Sequence, residues 1–192
     1  MQNLLNDIAN CTLCANLLPH PPRPIVSVSP SSRIIIVGQA PGARVHESGL
    51  PWDDRSGEEL RRWLGVSNEQ FYDNSLFALM PMGFCYPGRG NSGDLPPRPE
   101  CAPAWHNRLM REMKEVELVL LVGQYAQSYY LKERRETNLT ETVRNFRSYL
   151  PDYFPLVHPS PRNKIWQKRN PWFETEVLIE LREIVEKITS SG

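Results

Sequence analysis

The run "RIIIVGQAPG" (residues 33–42) decides the fold. Ile34, Ile35, Ile36 and Val37 all branch at Cβ and favour extended backbone. They show no polar alternation, so a strand here must be covered on both faces. Gly38 ends the run, Pro41 stiffens the loop that follows, and Gly42 lets its backbone approach a neighbour closely. Strands of this kind belong to parallel sheets with helices on each side.

Working outward, three more segments read as strands: "NSLFALMPM" (74–82), "LVLLVG" (118–123) and "DYFPLVH" (152–158). Helical segments separate them. "SGEELRRWLG" (56–65) has a serine cap, early acids, late arginines and a glycine stop. "APAWHNRLMREMKEV" (102–116) places Leu109, Met113 and Val116 at helical spacing. "QYAQSYYLKE" follows the third strand, and "PWFETEVLIELREIVEKI" (171–188) closes the chain with proline in its first turn. The alternation predicts an α/β fold: a three-layer α/β/α sandwich around a central, mainly parallel four-stranded sheet. Residues 1–192 read as one domain. The Pro- and Ser-rich stretches 19–32 and 86–100 read as ordered surface loops within it.

Lys+Arg and Asp+Glu both number 22, which excludes a bulk polybasic binder and makes any nucleic-acid surface local. No run approaches the roughly 18 apolar residues of a membrane span, and "MQNLLNDIANCTLC" lacks the basic and apolar regions of a leader. A cytoplasmic protein is expected. Its 4 cysteines then stay reduced and suggest a metal site or core packing rather than disulfides.

Ligand sites in open α/β sheets lie beyond the carboxyl ends of the strands. Those exits are "GQAPG" (38–42), "PMGFCYPG" (81–88), "GQYA" (123–126) and "HPSPRN" (158–163). The last opens "HPSPRNKIWQKRNPWF", where Arg162, Lys164, Lys168 and Arg169 interleave with Ile165, Trp166, Trp172 and Phe173.

"GQAPGARVHESGLPW" followed by "HPSPRN" resembles the paired signature motifs of the uracil-DNA glycosylase superfamily. The seven residues "ARVHESG" between Gly42 and "LPW" match the spacing of its iron–sulfur family, family four. Cys11 and Cys14 form C-x2-C, and Cys85 and Cys101 form C-x15-C, similar to the layout by which that family holds a 4Fe-4S cluster. Zinc and buried thiols are the alternatives for the four sulfurs.

The resemblance implies a monomer that takes DNA as partner and excises a flipped base. Trp52 stands where the family has its aromatic platform, with Ala40 and Gly42 lining the base site. His158 is the donor for negative charge developing on the base. Ser160, Arg162 and Lys164 fall where phosphates pass, and Ile165 or Trp166 is positioned as a wedge.

Gln39 and Ala40 replace the acids of families four and one. An amide orients water but does not accept its proton. The region of the family's base-reading Asn holds Met80 and Pro81, and Asn74 is too early to substitute. His46, Glu47, Asp53 and Asp54 lie nearby. Asp53 is the carboxylate expected at the pocket mouth, with helix capping or an ion pair as the alternative role for both aspartates. Excision of uracil or another deaminated or damaged base is the leading expectation. A catalytically silent nucleic-acid-binding module and a small-molecule nucleoside enzyme are its rivals.

Overall fold

The computed structural model describes residues 1–91 and 93–190. In chain order the elements are α1 (Gln2–Ala9), β1 (Ile34–Val37), α2 (Ala43–Ser48), α3 (Arg55–Leu64), α4 (Asn68–Tyr72) and β2 (Phe77–Leu79). Then come β3 (Arg89–Gly90), β4 (Gly93–Asp94), α5 (Cys101–Glu112), β5 (Leu118–Val122), α6 (Gln124–Leu131) and α7 (Leu139–Arg144). The last are β6 (Tyr153–Leu156), α8 (Lys164–Arg169) and α9 (Leu178–Ser190), the latter preceded by a π-helical turn, Phe173–Val177.

β2, β1, β5 and β6 lie side by side in that order, all parallel. The two-residue side-chain period of β1 sorts its apolar run onto two faces. Ile34 and Ile36 join Leu118, Leu120 and Val122 against Leu60 and Trp63 of α3 and Leu181 and Val185 of α9. Ile35 and Val37 join Val119 and Leu121 against Leu4 and Ile8 of α1 and Leu109 of α5. Each such side chain contributes roughly 1.5–3 kcal/mol on burial. Both faces are therefore covered, and the expected α/β sandwich around a parallel sheet is the architecture observed. Pro155 sits in β6, an edge strand, where a missing N–H breaks no ladder on the outer side.

Several boundaries differ from the sequence expectation. The second strand is only Phe77–Leu79, because Asn74 and Leu76 fold into a turn on Asp73. The Leu76 amide donates to the Asp73 carbonyl at 3.0 Å. Helix α3 is capped by Asp54 rather than Ser56: Asp54 Oδ1 accepts the Gly57 N–H at 2.8 Å. Helix α5 stops at Glu112, where Met113 turns extended. The 19–32 stretch is more than a surface loop. Ser27 exchanges backbone bonds of 3.1 and 2.7 Å with Leu79, which covers the open edge of β2 and buries Ile25 and Val28. The 86–100 stretch contains the β3–β4 hairpin, with Gly90 paired to Gly93. Ser92 lies outside the described residues.

Candidate active site

A cavity of about 550 Å³ opens at the carboxyl end of the sheet. Gly38 to Pro41 reach it from β1, Pro81 from β2 and His158 from β6. The exit of β5 does not line it, yet backs it: a methyl group placed on Gly123 would stand 3.6 Å from His158 Cβ. The exits of β1 and β2 are tied together, with Met82 N–H donating to the Gly38 carbonyl (2.9 Å) and Gly83 N–H to that of Gln39 (3.1 Å). Gln127, buried on α6, donates to the carbonyl of Leu156 (2.9 Å) and, more weakly, to that of Leu121 (3.4 Å). It thus clamps β5 to β6 just before the histidine loop.

Trp52 is held by two glycines. A methyl on Gly38 would lie 2.6 Å from indole Cζ2, so the ring rests on bare backbone at the end of β1. A methyl on Gly57 would lie 1.8 Å from the Trp52 carbonyl oxygen, so helix α3 packs directly under that peptide. Trp52 itself adopts φ 59°, a left-handed conformation that costs a bulky residue energy. The strain is held by this packing, and it turns the indole into the cavity. Its centroid lies 5.9 Å from that of His158, with the rings tilted by 32°.

The His158 loop is shaped from within. Asn163 Nδ2 donates to the His158 carbonyl at 2.7 Å, and Ser160 Oγ accepts the Arg162 N–H at 3.3 Å. Burial lowers the imidazole pKa, and the Asp54 carboxylate opposes this only in part. A neutral ring has one N–H to donate and carries no charge into the site.

The cavity therefore gathers Gln39, Ala40, Gly42, Trp52, His158, Ser160 and Arg162 from the sequence-derived set. The other candidates fall elsewhere. Asp53 turns away to Arg44, 3.6 Å distant, and its neighbour Asp54 lines the cavity instead. The reversal follows from the cap: binding the Gly57 N–H points Asp54 inward. Trp166 is unsuited to act as a wedge. Its indole N–H donates to Thr140 Oγ1 at 2.8 Å and its ring packs edge-on against Trp172 and Phe173. Ile165, one position earlier on α8, is 65% exposed and free of that packing. Lys164 is exposed outside the cavity lining.

Tyr86, Arg89 and Asp94 also line the cavity, all from the stretch read as a surface loop. Asn91 and Gly93 within "RGNSGD" are hairpin residues and offered the available signal. Nothing in the local pattern said that the hairpin would fold back over "GQAPG". Arg162 meets it there, with a guanidinium nitrogen 2.6 Å from where a Gly93 methyl would stand.

A second, smaller cavity is lined by Cys11, Cys14, Cys85 and Cys101 together. They come from the turn after α1, the turn after β2 and the start of α5. None is in a disulfide. Cys101 Sγ accepts the Phe84 N–H at 3.3 Å, and burial pushes its thiol up to about 12. Burial also raises Cys14 and Cys85. Such thiols stay protonated at neutral pH unless a metal displaces the proton. Among the described residues no three His, Cys, Asp or Glu stand close enough for a single ion. Zinc needs sulfurs about 2.3 Å from one centre. In a cluster each thiolate binds its own iron, and four thiols around one cavity are a donor set that could hold one.

The chain matches the uracil DNA glycosylase superfamily model over residues 26–182. It belongs to that superfamily. The matched region holds both cavity motifs, the hairpin, Cys85 and Cys101, while Cys11 and Cys14 precede it. Superfamily membership supports a glycosylase-like hydrolase acting on DNA. Among the described residues no helix is long and apolar enough to cross a membrane.

Proposed function

We propose that the protein is a DNA base-excision glycosylase that hydrolyses the N-glycosidic bond of a flipped uracil or other deaminated or damaged base. The carrying observation is the Trp52 indole, held strained over Gly38 and facing His158 inside the cavity. A flipped base stacks on that ring with its edge toward the imidazole. As the bond to the sugar breaks, its electron pair passes to the base. The neutral His158 N–H stabilises the charge this places on the base oxygen. The sugar becomes cationic, and the Asp54 carboxylate, fixed by its cap, faces it electrostatically. Gln39 orients the water that adds to the sugar carbon, and the proton this releases neutralises the departing base anion. Ile165 fills the stack vacated by the base, and Ser160, Arg162 and Lys164 face the phosphates. Cys11, Cys14, Cys85 and Cys101 hold a 4Fe-4S cluster in this reading. The cluster supplies cross-linking of the N-terminal segment to the loop after β2 and to α5.

Strand cleavage by alkali, after incubation with oligonucleotides carrying uracil, hypoxanthine, xanthine or oxidised bases, tests the activity. His158→Ala should lower single-turnover excision by about a hundred- to a thousand-fold and leave DNA affinity nearly unchanged. The replacement of the family acids by Gln39 and Ala40 favours one rival, a silent binding module. Inertness of both wild type and Gln39→Glu on every base, with DNA binding intact, would establish it.

A further inference from the structure

The lining of the cavity includes two carboxyls, Asp54 and Asp94. Asp54 spends one oxygen on the cap of α3. Asp94 lines the cavity from the end of β4, and among the described residues its carboxyl makes no hydrogen bond or ion pair, with only the charges of Arg89, Arg162 and Asp54 acting on it. The molecule makes room for it. Gly42 has φ −81° and ψ 176°, a conformation open to any residue, so glycine is not needed there for its backbone. What it provides is space: a methyl on Gly42 would lie 3.2 Å from Asp94 Oδ2. The carboxyl thus reaches over the bare backbone of the first motif. Arg89 and Arg162 are the cations around it, and Tyr86 and Asp54 the other titratable neighbours. Burial raises its pKa, the two arginines pull it down, and Asp54 raises it again.

A base stacked on Trp52 directs its polar edge sideways into the walls, where every desolvated donor and acceptor needs a partner. At the end of β2 the wall offers only Pro81, which carries no side-chain hydrogen-bond donor, while Met80 before it is buried in the core. We infer that Asp94 is the specificity-determining residue of this cavity, reading the lactam edge of a deaminated base and rejecting the amidine edge of a normal one. Uracil and hypoxanthine present a ring N–H beside a carbonyl. The carboxylate accepts the N–H while the neighbouring arginine charge favours the carbonyl. Cytosine and adenine present a bare ring nitrogen there, and its lone pair faces the carboxylate unfavourably.

This inference rests on the glycosylase reading for its rates but not for its binding contrast. Excision of uracil, hypoxanthine, cytosine and adenine from single-stranded oligonucleotides is compared for wild type, Asp94→Ala and Asp94→Asn. Thermal melts confirm that the variants fold. Asp94→Ala should lose about tenfold to a hundredfold in kcat/KM on uracil and hypoxanthine. Asp94→Asn should keep more of that rate and lose selectivity, because an amide can turn its NH2 toward a bare ring nitrogen. Wild-type rates and selectivity in both variants would overturn the assignment. Where wild type excises nothing, the glycosylase reading fails and Asp94 is judged by saturation-transfer NMR with free uracil and cytosine. Preference for uracil that is lost in Asp94→Ala supports it. Equal binding of both bases, or binding of neither, overturns it.

Discussion

At the scale of single residues, the site is made by what three glycines leave out. Gly38 and Gly57 hold Trp52 from two sides, and Gly42 admits Asp94. The first two predict opposite outcomes for the same added methyl group. In Gly57→Ala the methyl meets a backbone carbonyl at 1.8 Å, and neither helix α3 nor the strained Trp52 peptide can yield cheaply. Thermal or urea unfolding should show a loss of about 1–3 kcal/mol or more. In Gly38→Ala the methyl meets the far edge of a half-buried indole at 2.6 Å, which can swing toward the cavity. Stability should fall little, while Trp fluorescence shifts and excision drops. Equal unfolding in both variants would mean that Trp52 is a core residue and not a movable platform.

At the scale of elements, α5 reaches the site through a histidine. His106 is fully buried, with Nε2 3.0 Å from the Pro81 carbonyl and Nδ1 2.7 Å from the Tyr130 hydroxyl. A carbonyl only accepts, so Nε2 carries the proton and Nδ1 accepts from the tyrosine. That pair of bonds fixes the exit of β2 at Pro81, a wall of the cavity. Burial lowers the His106 pKa from 6.5 to about 4. The folded state therefore resists the proton that the unfolded chain accepts. His106's contribution is fully present above pH 6.5 and is lost as pH falls from 6.5 toward about 4. The loss should reach roughly 3 kcal/mol at most, at about 1.4 kcal/mol per pH unit. Urea melts between these pH values should display it, and His106→Gln, which does not titrate, should show a shallower decline. His46 and His158, also lowered by burial, add to the decline with the same sign.

At the scale of the whole molecule, the cysteine cavity joins chain segments that the sheet does not connect. Cys11 and Cys14 of the N-terminal segment line it with Cys85 after β2 and Cys101 on α5, so the proposed cluster would tie these segments together. Anaerobically purified protein should carry iron and acid-labile sulfide in equal amounts. Cys101→Ser should lose both and melt at a lower temperature. Zinc without sulfide, or thiols fully titratable in the native protein with no metal, would replace the cluster with a simpler centre or a plain apolar contact.

The sequence by itself determined the sheet. Ile34 to Val37 have no polar face, so burial on both sides was compulsory, and the alternating helices left a parallel arrangement as the only economical cover. It also determined the outline of the site, because Gly38 to Gly42 and His158 must emerge where their strands end. The tertiary structure decided which neighbours meet. Asp53 and Asp54 are equivalent in the sequence, and only the cap on Gly57 points one inward. Trp166 and Ile165 are adjacent, and only packing against Trp172 and Phe173 separates a partly buried residue from an exposed one. The hairpin carrying Asp94 lies 52 residues beyond Gly42 in the chain and reaches it only because β3 and β4 fold back over the first motif. Periodicity and motif spacing are local properties of a chain, whereas a contact across a cavity depends on the path of everything between its two walls.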